Sequence, residues 1–418
     1  MCQGGLVVSS AQQQSGPVQE HSGPVQRDPG QWSTLPDCKR VLVVIHTLVY
    51  GRRLQDLLHL FRADLRVSVV FTVAPHAFNS GVESVLTELA GLVLPWEQVC
   101  RTDFDLILTA GSQGMEQLRG PLVRLPHGAG HIKLSRPQDA ATRTVGGLGR
   151  RYLTWQGRVV PRAFAVAHRE ERDALAWLCP EALPITEVVG DASYDRIALG
   201  LGRRDAYRQA LGLRDGERLV LVSSTWGLGS AFHRLDALLP RLLTELPADR
   251  HRVAVLVHPN VHAGHGSWQV RAWLATAGGG RLTLLPPQCD WRPALIAADF
   301  IIGDHGSVTL YGSMTGAPIL IAQYPFRSVN RDSPGAQLAR TAPSLSLSLR
   351  LDQQLDYAAE QYQPESYREI AARISSEPGA FDANIRRLLY RILELGEPAH
   401  RPEAEPLPLP QPLTGKEF

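Results

Sequence analysis

Histidines, hydroxyls and glycines gather at four places in this chain. The first is Pro126-His127-Gly128-Ala129-Gly130-His131-Ile132-Lys133. An imidazole titrates near about 6.5, so His127 could take a hydroxyl proton at neutral pH. Gly128 and Gly130 let a ligand approach the backbone, and Lys133 adds a charge suited to phosphate. A plain Gly-rich turn with incidental histidines would use the same letters. The second place is His258-Pro259-Asn260. His262 and His265 follow, but Pro259, Gly264 and Gly266 predict a loop with no helical face of metal ligands. The third is Asp304-His305-Gly306-Ser307-Val308-Thr309. Here a strand is expected to end at Asp304 and a helix to open at Ser307, whose free N–H groups suit a diphosphate. Ser307 and Thr309 would add hydroxyl donors; alternatively Ser307 only caps its own helix. The fourth is Ser224-Thr225-Trp226 with Gly227 and Gly229, where hydroxyls could meet phosphate or acceptor and the indole could stack or line a cleft. The bland reading there is a packed loop.

Such residues act together only if the fold brings them together. Short apolar runs at 41–46, 67–72, 105–110, 122–125, 163–167 and 185–189 read as strands, with helices at 54–61, 82–90 and 170–178 between them. The pattern restarts after a polar stretch at 200–217. Strands are expected at 219–223, 253–257, 282–285, 300–302 and 319–322, and helices at 235–246, 268–277 and 291–297. Strands apolar on both faces and separated by helices predict parallel sheets covered on both sides. The fold class is therefore α/β, with two Rossmann-like doubly wound domains facing a cleft. Three strandless helices at 351–361, 365–375 and 381–395 are expected to cross back and brace the first domain. All four chemical stretches follow strands, and ligands of such sheets bind outside the carboxyl ends.

Composition removes several alternatives. The chain has 418 residues, 44% hydrophobic and 20% charged, which suits a globular protein of two domains. Its net charge of +2 sets up no field for nucleic acid. Five unspaced cysteines argue for reduced thiols. No apolar run reaches the ~18 residues of a membrane span, and the N-terminus lacks a secretory signal, so a cytoplasmic protein is expected. Residues 1–38 read as a disordered tail and 397–418 as a Pro-rich one. Asp103-Phe104-Asp105 has the letters of a metal motif but precedes its strand, at the wrong end of the sheet. Gly146-Gly147-Leu148-Gly149 follows no clear strand, and neither a P-loop nor a GxSxG nucleophile occurs.

Taken in order, these motifs resemble GT-B glycosyltransferases, and within them the CDP-glycerol glycerophosphotransferase (teichoic-acid polymerase-like) family. That family's His-Gly-Thr-x-x-Lys is matched by His127-Gly128-Ala129-Gly130-His131-Ile132-Lys133, with Ala for Thr and the Lys one place later. Its Pro-Thr-Trp loop is matched by Ser224-Thr225-Trp226 and its His-Pro by His258-Pro259. Its Asp-Tyr-Ser-Ser appears as Asp304-His305-Gly306-Ser307, one serine having become Gly306. Val189-Gly190-Asp191 to Arg196 is similar to the end of a GT-B first domain. The resemblance spans about residues 40–395. It implies an acceptor-side domain at 39–198, a nucleotide-donor domain at 199–350 and bracing helices at 351–396.

The implied activity is an inverting, metal-independent and cofactor-free transfer. A glycerophosphate, polyol-phosphate or sugar group would pass from a nucleotide diphosphate donor, such as CDP-glycerol or an NDP-sugar, to an acceptor hydroxyl. His127 and His258 would be catalytic, and Asp304, His305, Gly306, Ser307, Val308 and Thr309 would hold the donor diphosphate. Gly128, His131, Lys133, Ser224, Thr225 and Trp226 would line the cleft. A role in cell-wall or secondary polymer synthesis, with peripheral association at the inner face of the membrane, goes with that family. Two other readings stay open: a UDP-sugar 2-epimerase-like enzyme, and a non-catalytic nucleotide-binding scaffold.

Overall fold

The computed structural model describes Leu35 and residues 37–135, 144–275 and 282–413. The disordered tail expected over 1–38 lies almost wholly outside the described residues.

The first lobe is a seven-stranded parallel sheet: β1 (Lys39–Ile45), β2 (Val67–Val73), β3 (Leu92–Val93), β4 (Leu106–Thr109), β5 (Leu122–Arg124), β8 (Ala163–Val166) and β9 (Thr186–Val188). A small antiparallel hairpin, β6 (Thr154–Trp155) and β7 (Arg158–Val159), lies between β5 and β8 in the chain. The strands run β3-β2-β1-β4-β5-β8-β9. In the second lobe, β10 (Arg218–Ser224), β11 (His251–Val257), β12 (Leu282–Leu284), β13 (Phe300–Gly303) and β14 (Ile319–Ile321) form a parallel sheet ordered β12-β11-β10-β13-β14. Alternate residues of each central strand enter different cores. Val41 and Val43 face one side of β1, Leu42 and Val44 the other. Leu219 and Leu221 pack opposite to Val220 and Val222 on β10. Burial on both faces is why these runs carry no polar alternation.

Several expectations are corrected. β3 has only two residues, both exposed, too few to register as an apolar run. The β6–β7 hairpin turns on Gln156 (φ 48°) and Gly157 (φ 77°), a left-handed pair signalled by one glycine. The polar stretch at 200–217 continues from helix Ala192–Gly200 and is helical over Leu201–Arg203 and Arg204–Ala210. A domain boundary at 198 therefore falls inside a helix; the chain leaves the first sheet after β9. The stretch after β11 is helix Pro259–His265, where a loop was expected. Pro259 occupies its first turn and Gly266 ends it at φ 83°, so both residues are helix punctuation.

The three C-terminal helices divide their allegiance. Leu351–Glu360 packs on the second sheet through Leu351 and Leu355. Pro364–Ala372 joins the other face of that lobe through Tyr367 and Ile370. Only Phe381–Leu393 crosses back, where Phe381, Ile385, Leu388 and Leu389 complete the core of the first lobe. The Pro-rich end is extended but not loose. Leu407 and Leu413 are 1% and 5% exposed within the second lobe's core, and Leu413 N–H donates to the Leu211 carbonyl at 3.0 Å. Proline forbids ladder pairing here, not docking.

Candidate active site between the lobes

His127 lies three residues beyond β5 and His258 directly follows β11, both at carboxyl ends of their sheets. The loop after β5 does not stay in its own lobe. Ala129 and Ile132 are buried in the core of the second lobe. Asn330 N–H donates to the Ile132 carbonyl at 2.7 Å, and Leu134 N–H to that of Ser328 at 3.1 Å. Two glycines permit this approach. Gly130 adopts φ 76°, and a Cβ there would stand 2.9 Å from Leu310. A Cβ on Gly128 would stand 2.9 Å from Ser307 Oγ, which fixes how closely the first lobe meets the start of helix Ser307–Tyr311.

Lys133 spans the gap. Its Nζ donates to Thr225 Oγ1 at 3.2 Å and lies 4.6 Å from the centre of the Trp226 ring. Trp226 in turn meets Phe78 of the first lobe at 5.5 Å and His258 at 6.5 Å between ring centres. His127, Gly128 and Lys133 therefore face Thr225, Trp226, His258 and Ser307 across one seam. Beneath it, Arg53 Nε donates to the Pro126 carbonyl at 3.2 Å, just before His127, and Arg53 Nη2 pairs with Asp191 at 2.6 Å. Tyr311 Oη donates to the same Asp191 at 2.9 Å, so one buried carboxylate fixes both halves of the seam.

Both candidate imidazoles are held neutral. His127 is accessible to solvent in the gap. Desolvation by the surrounding walls lowers its proton affinity, and His131, Arg124, Lys133 and Arg53 all push the same way. Burial drives His258 well below the ordinary histidine range, helped by the charges of Lys133 and His127. His258 also caps helix Pro259–His265, its Nδ1 accepting from Asn260 N–H at 3.1 Å. The neutral ring then carries its proton on Nε2 and is a hydrogen-bond donor.

Other expected site residues serve the scaffold. Asp304 is 2% exposed; its carboxylate accepts from the amides of Ala231 at 2.7 Å, Thr225 at 2.9 Å and Gly306 at 2.9 Å. Burial nevertheless raises its pKa to about 6 against those three donors. It shapes the Thr225-Trp226 loop and has no free oxygen for a ligand. Ser224 Oγ takes the Phe232 amide at 2.8 Å, and Thr309 Oγ1 takes the Asp304 amide at 3.2 Å, so both hydroxyls turn inward. Val308 packs against the core of the second lobe. His131 points away from the seam, its Nδ1 2.9 Å from the Gly146 carbonyl and its Nε2 3.5 Å from Glu171. His305 is buried edge-on to Tyr324, with Nδ1 unpartnered. Gly306, not Ser307, takes the cap position of the helix.

Sequence reasoning missed Tyr50, whose ring lies 4.6 Å from that of His127, and His46 and His76, which surround Tyr50. These histidines directly follow β1 or lie shortly after β2, so the rule that found His127 and His258 would have found them. They line a cavity of about 490 Å³ with Gly111, Arg124 and Tyr152. No group of three or more metal-type ligands occurs among the described residues.

No protein-family model matches the chain, and no curated protein matches it in sequence. Solved structures do. The wall teichoic acid polymerase TagF, in a form soaked with CDPG, superposes with a TM-score of 0.60 at 12% identity, over 85% of this chain and 88% of that one. MnaA of S. aureus with UDP gives 0.54 at 14% identity, over 88% and 100%. HepE of Anabaena with UDP-glucose gives 0.51 at 13% identity, over 85% and 99%. At such identities the likeness is one of architecture, and that architecture is the GT-B fold.

Proposed function

We propose that this GT-B chain is a transferase, moving a glycerophosphate, polyol-phosphate or sugar group from a nucleotide diphosphate donor to an acceptor hydroxyl. The observation that carries the reading is the Lys133 bridge: a cation of the first lobe seated on Thr225 and Trp226 of the second, between two neutral imidazoles. The solved structures of this fold with CDPG, UDP-glucose and UDP support a nucleotide-linked donor. In the glycerophosphate version, the acceptor hydroxyl gives its proton to His127. Its oxygen bonds to the donor's β-phosphorus, the bond to the bridging oxygen breaks, and CMP leaves with the electron pair. In the sugar version the attack is on the anomeric carbon, with inversion, and a nucleoside diphosphate leaves. Lys133 and the neutral Nε2–H of His258 stabilise the growing negative charge without a metal ion or cofactor. Because the seam is lined by protein from both lobes, bound substrate excludes competing water.

The epimerase reading needs an acid beside the sugar, and Asp304 is committed to loop amides. The test is incubation of the full chain with CDP-glycerol, CDP-ribitol or UDP-glucose and a hydroxyl acceptor, with chromatography of nucleotides. Acceptor-dependent release of CMP or UDP is expected. Isomerised sugar nucleotide would make the chain an epimerase, and nucleotide binding without turnover would make it a scaffold. We further propose that it works in the cytoplasm, at the inner membrane surface, in polymer synthesis. No helix among the described residues is long and apolar enough to cross a membrane.

A further inference from the structure

Arg124 is a charge inside a buried strand. It is 5% exposed and forms no ion pair with a carboxylate among the described residues; its guanidinium carbon lies 5.9 Å from the centre of the Tyr152 ring and 5.3 Å from that of Phe164. Nη1 donates to the carbonyls of Gly147 at 3.2 Å and Tyr152 at 3.0 Å, whereas Nε is buried with no partner. A buried guanidinium lacking a counter-ion is costly, and an anion arriving beside it would offset that cost with charge-assisted hydrogen bonds. Arg124 forms part of the wall of the 490 Å³ cavity, a size that suits a small ligand. On the same wall His46, 1% exposed, donates from Nε2 to the Gln113 carbonyl at 2.9 Å and keeps Nδ1 as an unpartnered acceptor. Tyr50, Tyr152 and Trp155 supply ring faces, and Glu116 adds one acid at the Met115–Gln117 turn. Tyr50 lies between this cavity and the His127 ring.

We propose that the cavity is the acceptor subsite, and that Arg124 receives a phosphate or carboxylate on an acceptor whose hydroxyl reaches His127. The claim rests on the reading of His127 as the base, which gives the cavity its place beside the reacting hydroxyl. An uncharged acceptor would leave Arg124 unpaired, so the subsite selects for an anion.

Calorimetric titration of the full chain tests this with glycerol 3-phosphate, glycerate, glycerol and inorganic phosphate as probes. Saturable binding of glycerol 3-phosphate or glycerate is expected, the tighter of the two naming the anion, with glycerol at least tenfold weaker. Inorganic phosphate binding as tightly as both would show that the polyol part is not recognised and would overturn the acceptor assignment. Arg124→Gln should weaken the anionic probe at least tenfold and leave CDP or UDP binding unchanged. Should that variant not fold, Ser112→Glu on the cavity wall supplies a competing carboxylate and should block the probe, while Ser112→Gln should not. Equal binding by Ser112→Glu and Ser112→Gln would sink the proposal. If the anionic probe binds but no nucleotide does, the transferase reading fails and the anion site stands.

Discussion

His258 does two jobs with one ring, because the nitrogen that caps helix Pro259–His265 is not the nitrogen left to donate. The two can be separated. His258→Ala should abolish turnover and also cost about 1 kcal/mol of stability through the lost cap. His258→Asn, which restores a capping oxygen, should recover that stability in a denaturant titration while remaining inactive. His127→Ala, at an accessible position that caps nothing, should be inactive with stability within about 1–2 kcal/mol of the parent. Because desolvation and nearby cations lower the His127 pKa, the base is already unprotonated at neutral pH. A profile of kcat/KM should stay flat as pH falls from 8 to 6.5 and drop only below that, as the ring takes a proton; a drop centred above 6.5 would exclude His127 as the base. Position after a strand picked out His127, Lys133 and His258, which the fold brings to one seam. It misjudged Asp304, Ser224 and Thr309, because a polar side chain at a strand end can serve the neighbouring loop as well as a ligand. That choice depends on which amides happen to lack partners, which residue type alone does not reveal.

At the scale of elements, the seam is organised from below by Arg53, Asp191 and Tyr311. Asp191 is fully buried, caps helix Ala192–Gly200 through the Tyr194 amide at 2.7 Å, and neutralises Arg53. Asp191→Ala would leave that guanidinium buried and unpaired, an expected loss of about 3–5 kcal/mol by chemical denaturation. Tyr311→Phe, which removes one hydrogen bond, should cost only about 1 kcal/mol but shift the helix that meets Gly128. The strands were readable because each is short, apolar and buried on both faces. Helix Arg204–Ala210 was not, since its polar face read as a linker, and Ala192–Gly200 carried no assignment as a helix. Helix Pro334–Thr341, opened by Pro334 and capped by Ser333, was likewise lost among loop-like letters. The partition of the C-terminal helices between lobes was invisible in principle, because apolar spacing shows that a face is buried but not against what.

Across the whole molecule, burial holds His46 and His262 at about 4 and His305 at about 3, against 6.5 for a free imidazole. Below pH 6.5 the unfolded chain takes up protons that the folded chain refuses, so these groups remove stability as pH falls toward 4. Asp195 and Asp304, raised to about 6 by burial, act oppositely between pH 6 and 4, since the folded chain protonates them first. The histidines titrate earlier and outnumber them. Thermal stability should therefore fall from pH 7 to pH 5, each uncompensated proton contributing about 1.4 kcal/mol per pH unit. Deleting residues 405–418 removes the two docked leucines and takes the Leu407 carbonyl from Tyr207 and Arg203. A loss of about 3 kcal/mol is expected in the same titration.

Helix Phe381–Leu393 carries a consequence for biosynthesis. The first lobe is translated before the second, yet one wall of its interior comes from a helix that follows the second lobe in the chain. Domains ordinarily fold in the order they leave the ribosome. Here the first lobe must wait, with the apolar face of β1, β4 and β5 uncovered, until the whole second lobe has been made. Nascent chains stalled near residue 350 should therefore lean on chaperones far more than chains stalled beyond 395.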